Sequence, residues 1–134
     1  MVESVVNWAD AERFIGRASS GHAIVIDAGS DRTANGPMEL VLIGLCSCTA
    51  VDVVNILSKK REPFTSVQVR AEAERADSAP KVYTKIKLVY RVTGRVSKKA
   101  VEDAVRLSEE KYCSVAGMLK KSAQITYAIE LAEK

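Results

Sequence analysis

A chain of 134 residues with a net charge of +3 has the length of one domain and can bury a core without disulfide or metal staples. Its 20 bases and 17 acids are interleaved, as in "SKKRE" and "SEEKY", and it has two Phe, one Trp and four Tyr, so neither a basic stripe nor a base-stacking platform is present and no nucleic-acid partner is expected. Three cysteines without dense spacing exclude a secreted disulfide framework. The opening "MVESVVNWADAERF" is acidic where a signal peptide is basic, so a cytoplasmic location with reduced thiols is expected.

In chain order, "ESVVNWADAERFIGRASSGHAIVIDAG" has short β-type runs punctuated by Ser-Gly and Gly. It predicts a three-stranded meander over roughly 2–8, 12–18 and 22–28. "GSDRTANGP" is a loop. Pro37 then suits the first position of a helix, and Glu39 falls in its first turn, where the helix dipole favours an acid. The apolar pattern runs to Leu57, and Pro63 cannot continue it. Residues 37–57 are long enough to span a bilayer, but Glu39 and Asp52 interrupt the run and Gly, Ser and Cys dilute it. A buried helix and no membrane partner are expected.

Two alternating runs follow, "FTSVQVRAEAER" and "KVYTKIKLVYRVTG", joined by the hairpin loop "ADSAP". Their inward sets are Val67, Val69 and Ala71, and Val82, Ile86 or Leu88, and Tyr90. Ser97 caps a helix from about 98 that buries Ala100, Val101, Ala104, Val105 and Leu107, and the helical pattern runs through Cys113 to Lys121. "QITYAIELA" closes the chain as a strand. The order βββ–α–ββ–α(α)–β is an α+β fold in a single domain, 1–134.

The central helix, "LIGLCSCTAVDVVNIL", carries the chemistry. Positions 41, 45, 48 and 52 lie along one face, so Cys48 and Asp52 are neighbours one turn apart. Cys46 points about 200° away from Cys48, and the two cannot readily join in a disulfide. If Cys48 has a partner, it is Cys113 in "EEKYCSVAGMLKK". The thiols read either as packing, since free cysteine behaves as a small hydrophobe, or as reactive groups. Three Cys and one His without C-x-x-C spacing make a poor zinc site, and His22 reads as an edge residue. Asp52 needs hydrogen-bond partners or a cation. An acid beside a nucleophilic thiol opposes the thiolate, so the favoured reading has Asp52 hold an arginine over the sulfur, and the competing one makes it structural.

These residues carry a resemblance. "GPMELVLIGLCSCTAVDVVNIL" resembles the central helix of the OsmC/Ohr family, osmotically inducible and organic-hydroperoxide-resistance proteins. In that helix a Pro and a nearby Glu precede a cysteine eleven residues after the Pro, which selects Cys48 over Cys46. The second family cysteine, about 65 residues further on, matches Cys113, and "YRVTGRVSKKAVEDAVRLSEEKYCSVAGMLKKSAQITYAIEL" is similar to the family's C-terminal half. The resemblance implies an OsmC-like fold in an intertwined homodimer with sites at the subunit interface. It implies a thiol peroxidase acting on organic hydroperoxides, with Cys48 peroxidatic, Cys113 resolving, a small-molecule or protein dithiol as reductant and no cofactor or metal. It also puts Cys113 near the start of a short last helix, where the dipole helps a thiolate. In the family a Glu directly after the Pro orients a thiolate-stabilising arginine. Here Met38 takes that place, Glu39 comes one position later, and Ser114 stands where a Pro often follows the second cysteine. Arg32, Arg17 and Arg13 are the candidate cations. The alternative function is a non-catalytic dimeric redox-sensing or small-ligand-binding protein on the same fold.

Overall fold

The period-two runs at the start pair in sequence order. In the computed structural model, which describes residues 1–133, β1 (Ser4–Asp10), β2 (Arg13–Ala18) and β3 (Ala23–Asp27) form an antiparallel sheet of order β1-β2-β3. The expected meander is present with its ends moved by one or two residues. The first turn is braced from both sides: the Trp8 indole N–H donates to the Ala11 carbonyl at 2.9 Å, and Arg13 pairs with Asp10 at 2.8 Å. Val5, Val6, Trp8, Ile24 and Val25 remain exposed on these strands.

Helix α1 (Pro37–Lys59) starts as the sequence predicts. Gly36 has no side chain to cap it, and the Glu39 carboxylate reaches back to accept the Gly36 N–H at 2.9 Å, which is half of a capping box. The helix stops before Pro63 acts. Arg61 takes a left-handed φ of 58°, its N–H donates to Ser58, and the Glu62 N–H donates to Leu57, the pattern of a Schellman motif. By length and composition α1 could cross a bilayer, but one stripe of it, Leu45, Thr49, Val53 and Leu57, is buried. Outside that stripe Ile43 and Val51 are exposed.

The chain divides into two compact units, Met1–Ile43 and Gly44 onward. In the second, β4 (Phe64–Arg75), β5 (Tyr83–Gly94) and β6 (Gln124–Ala132) form a sheet of order β4-β5-β6, with β4 antiparallel and β6 parallel to β5. A parallel neighbour requires a crossover. The segment between β5 and β6 supplies it with α2 (Lys98–Leu107), a π-helical segment (Ser108–Tyr112) and α3 (Ser114–Leu119). Central β5 is the most buried strand, through Ile86, Leu88, Val89, Tyr90 and Val92. Val82, expected to point inward, is 42% exposed because the strand begins one residue later and Tyr83 takes the buried place. At Gly94 φ is 125° and a Cβ would meet the Pro63 carbonyl at 2.6 Å, so the exit from β5 requires glycine.

The helical pattern that periodicity runs over 98–121 is broken into separate helices. Ser97 caps α2 as predicted, accepting the Ala100 N–H at 3.2 Å. At its far end the Cys113 N–H donates to the Ser108 carbonyl at 2.8 Å, five residues back, and Cys113 itself is extended with ψ 106°. The wider turn brings Ser108 fully inside, while Leu107, expected buried, is only half-buried.

Candidate functional site

Cys48 projects from α1 at the edge of its buried stripe, beside Thr49 and one turn before Asp52. Cys113 is the residue that caps α3. The fold brings the two thiols together: both are free, and Cys48 is near enough to act on the Cys113 thiol. Cys113 is buried, and that burial pushes its thiol up to about 12, with smaller pushes from Cys48 and Asp52. The Ala116 N–H donates to its sulfur at 3.4 Å and pulls the other way without prevailing. The position at the start of a short helix is therefore as expected, but the thiolate-favouring effect of that helix end is outweighed by desolvation. Cys46 is half-buried away from the pair, and burial raises its thiol.

No arginine pairs with Asp52 among the described residues. The Asp52 carboxylate accepts a hydrogen bond from Ser108 Oγ at 2.9 Å and makes no ion pair among the described residues. This corrects the favoured reading, and the reason is tertiary: the π-helical turn presents a hydroxyl to the carboxylate first. Ser108 Oγ lies 2.6 Å from Thr49 Oγ1, which lies 2.7 Å from the Tyr90 hydroxyl, and Tyr90 donates to Glu109 Oε1 at 2.6 Å. Thr49, Tyr90 and Ser108 are all 0% exposed. The Tyr90 ring is held edge-on to Tyr127 at 6.1 Å between centroids. Burial raises the Glu109 carboxyl, opposed by the Tyr90 hydrogen bond and Lys120, and burial raises the Tyr90 phenol, helped by Glu109. A cavity of about 360 Å³ opens at Asp52, lined also by Ile56, Lys59, Lys60, Leu107 and Tyr112.

In the first unit, Arg32 Nη1 pairs with Glu39 Oε1 at 2.6 Å, and its Nε donates to the Gly29 carbonyl at 3.2 Å. One carboxylate thus serves as both helix cap and arginine anchor, and both contacts hold it below its ordinary range. Arg17 is exposed on β2 between Val5 and Ala23, Arg13 is committed to Asp10, and the His22 ring lies 3.0 Å from the Ser20 hydroxyl. Among the described residues no cluster of three His, Cys, Asp or Glu could hold a metal. Sequence reasoning missed Thr49, Tyr90, Ser108 and Glu109. The available signal was a hydroxyl, Thr49, on the apolar stripe of α1 at four-residue spacing from Leu45 and Val53.

The OsmC-like protein family model matches residues 29–128. The chain belongs to the OsmC-like family. Protein YhfA of Escherichia coli (strain K12) is 44% identical to this OsmC-like chain over 131 residues, 97% of the chain and 98% of YhfA. A hypothetical protein from Aquifex aeolicus VF5 superposes with a TM-score of 0.91 at 34% identity, covering 100% and 98% of the two chains. An organic hydroperoxide resistance protein OsmC from Legionella pneumophila shares the fold, with a TM-score of 0.73 over 97% and 96% of the chains at 13% identity.

Proposed function

We propose that this OsmC-like protein is a thiol peroxidase that reduces organic hydroperoxides, a redox role in oxidative-stress defence. The observation that carries the reading is that Cys48 and Cys113, two thiols far apart in sequence, lie close enough for Cys48 to help raise the Cys113 thiol. The Cys48 thiolate attacks the distal peroxide oxygen. The O–O bond breaks, the alkoxide takes up a proton and leaves as alcohol, and Cys48 becomes a sulfenic acid. Cys113 then attacks that sulfur. The S–O bond breaks, the hydroxyl leaves as water with the thiol proton, and a disulfide forms. A small-molecule or protein dithiol returns both electrons by exchange.

The environments of the two sulfurs support this division of labour. Cys113 is held protonated by burial, which suits a resolving thiol that reacts only after Cys48 is oxidised. The cavity at Asp52, one turn from Cys48, sets Ile56, Leu107 and Tyr112 beside Asn55, Lys59 and Lys60, a mixed wall that can take both the carbon chain and the polar head of an organic hydroperoxide. Glu39 and Arg32 are paired as the family's Glu and Arg are, although Glu39 stands one position later, and we assign Arg32 as the cation ahead of Arg17. The apolar residues exposed on β1, β3 and α1 support an intertwined homodimer, with residues 1–134 as one OsmC-like domain in the cytoplasm.

The test uses reduced protein and one equivalent of cumene hydroperoxide, with bridges mapped by mass spectrometry and turnover followed with excess dithiothreitol. A Cys48–Cys113 disulfide and turnover lost in Cys48→Ser are expected. A Cys46–Cys113 bridge, or none, overturns the assignment. The absence of any cation on Asp52 among the described residues favours one second reading, a redox sensor. It predicts the same disulfide without multiple turnovers.

A further inference from the structure

Asp52, Ser108, Thr49, Tyr90 and Glu109 stand in one line, joined by four oxygen–oxygen contacts of 2.9, 2.6, 2.7 and 2.6 Å. Each contact needs one proton, and each hydroxyl has one to give. With both carboxylates ionised, three hydroxyl protons must serve four contacts. Ser108 points at Asp52, Tyr90 points at Glu109, and Thr49 can donate to only one of its two neighbours. The other contact is then left with two oxygens and no hydrogen. All three hydroxyl residues are 0% exposed, so solvent does not relieve the conflict.

A fourth proton, on one carboxyl, completes the line and makes its direction unanimous. With the proton on Glu109, Glu109 donates to Tyr90, Tyr90 to Thr49, Thr49 to Ser108 and Ser108 to Asp52. With the proton on Asp52, every bond reverses. The two arrangements differ by four short proton shifts and by which carboxylate bears the charge.

We propose that this line is a proton relay in which Glu109 holds one proton at rest and delivers it to Asp52 when a thiolate forms at the Cys48–Cys113 pair. The thiol S–H bond breaks and its proton passes to solvent, while along the line four O–H bonds break and four form, the negative charge moves from Asp52 to Glu109, and no electrons change hands. The acid one helical turn from the nucleophile is neutralised when the sulfur is charged, without any cation. When the sulfenic acid forms and the sulfur loses its charge, the line reverts. Glu109 is thus a positioning residue acting through three hydroxyls. The role rests on the peroxidase reading, whereas the proton count does not.

The surroundings agree with Glu109 as the resting holder. Burial raises its carboxyl, and the groups that face it are the Tyr90 hydroxyl from β5 and Lys120 after α3, both of which pull it down without prevailing. Around Asp52 are the Cys113 thiol, Ser108 and, across the cavity, Lys59, Lys60 and Tyr112.

The experiment is a pH titration of the reduced full chain, with side-chain carboxyl carbons of Asp and Glu labelled and read by NMR. Glu109→Gln and Asp52→Asn assign the two resonances. A shared proton makes the Asp52 resonance move at the Glu109 midpoint, above the range in which exposed glutamates ionise. Thr49→Val cuts the line but leaves each carboxylate its own hydroxyl donor, and should abolish the Asp52 response. Tyr90→Phe should do the same and serves if the first variant does not fold. Independent titration of the two carboxyls in the wild type, or a Glu109 that ionises with the surface glutamates, overturns the relay. In a Cys46→Ser background, iodoacetamide alkylation of Cys48 at neutral pH should slow several-fold in Glu109→Gln and in Tyr90→Phe. Unchanged alkylation overturns the link to the thiols. Neither measurement uses peroxide, so a coupled titration in a protein that reduces no hydroperoxide overturns the peroxidase reading and leaves the relay standing.

Discussion

Each unit of the molecule holds a carboxylate away from solvent, and the two are treated in opposite ways. Asp27, at the end of β3, is 4% exposed and accepts three hydrogen bonds, from the Gly29 N–H at 2.9 Å, the Thr33 N–H at 2.9 Å and the Thr33 hydroxyl at 2.8 Å. These donors, led by the Thr33 amide, hold it down at about 2. Glu109 accepts from one phenol and is raised by burial. The difference lies in the donors. A backbone N–H can only donate, so amides around a carboxylate fix its charge. A hydroxyl donates or accepts with equal ease, so a file of hydroxyls lets a charge move.

The largest effect expected from breaking this contrast is in the first unit. Asp27→Ala removes one acceptor from three donors at once, two of them backbone. It should lower Tm more than Tyr90→Phe or Arg32→Ala does, whereas Asp27→Asn should lower it less than Asp27→Ala, which differential scanning calorimetry can check. In the second unit Tyr90→Phe keeps the fully buried ring and removes only the hydroxyl, leaving Thr49 and Glu109 without their partner. A loss of about 1–3 kcal/mol by urea denaturation is expected.

The pH dependence sharpens the comparison because the two units should fail at opposite ends. Asp27 is depressed from 3.8 to about 2, so its contribution is complete above 3.8 and is lost as pH falls through about 2. Cys113 is raised from 9.0 to about 12, so its contribution is complete below 9.0 and is lost as pH rises through about 12. Residue-resolved hydrogen exchange should therefore show acid loosening β3 and its loop first, and alkali loosening the π-helical segment and α3 first. Simultaneous loss in both units at either limit would refute the contrast. The smallest effect belongs to the ion pair of Arg32 with Glu39, whose side chains are 44% and 50% exposed. Arg32→Ala should barely move Tm, while under the peroxidase reading it slows hydroperoxide turnover markedly.

Much of the fold was legible because it is local. Pro37 and Glu39 mark a helix start through groups within one turn of each other, and Ser97 marks another through its own hydroxyl. Period-two alternation marked the strands, most plainly β4 and β5. The end of α1 was only partly legible: Pro63 gave the boundary, but the stop belongs to Arg61 in a left-handed conformation that its side chain does not advertise. The break at Ser108–Tyr112 was not legible in periodicity or propensity, since "SEEKY" has good helix formers and no Gly or Pro, and only the resemblance put a separate short helix at Cys113.

The same division runs through the site. The sequence by itself determined that Cys48 and Asp52 share a helix face, that Cys46 does not share it, and that Glu39 opens α1, because a 3.6-residue period leaves no freedom in these matters. It did not determine what Asp52 bonds to. Ser108 reaches Asp52 across 56 positions, from the start of the wider turn before Cys113, and Thr49 of α1 meets Tyr90 of β5 across 41. A π-helical turn shifts every later side chain off the 3.6-residue period, and the packing of the crossover, more than the propensities of its residues, selects that turn. Only the tertiary structure could therefore decide that the acid one turn from Cys48 faces a file of hydroxyls.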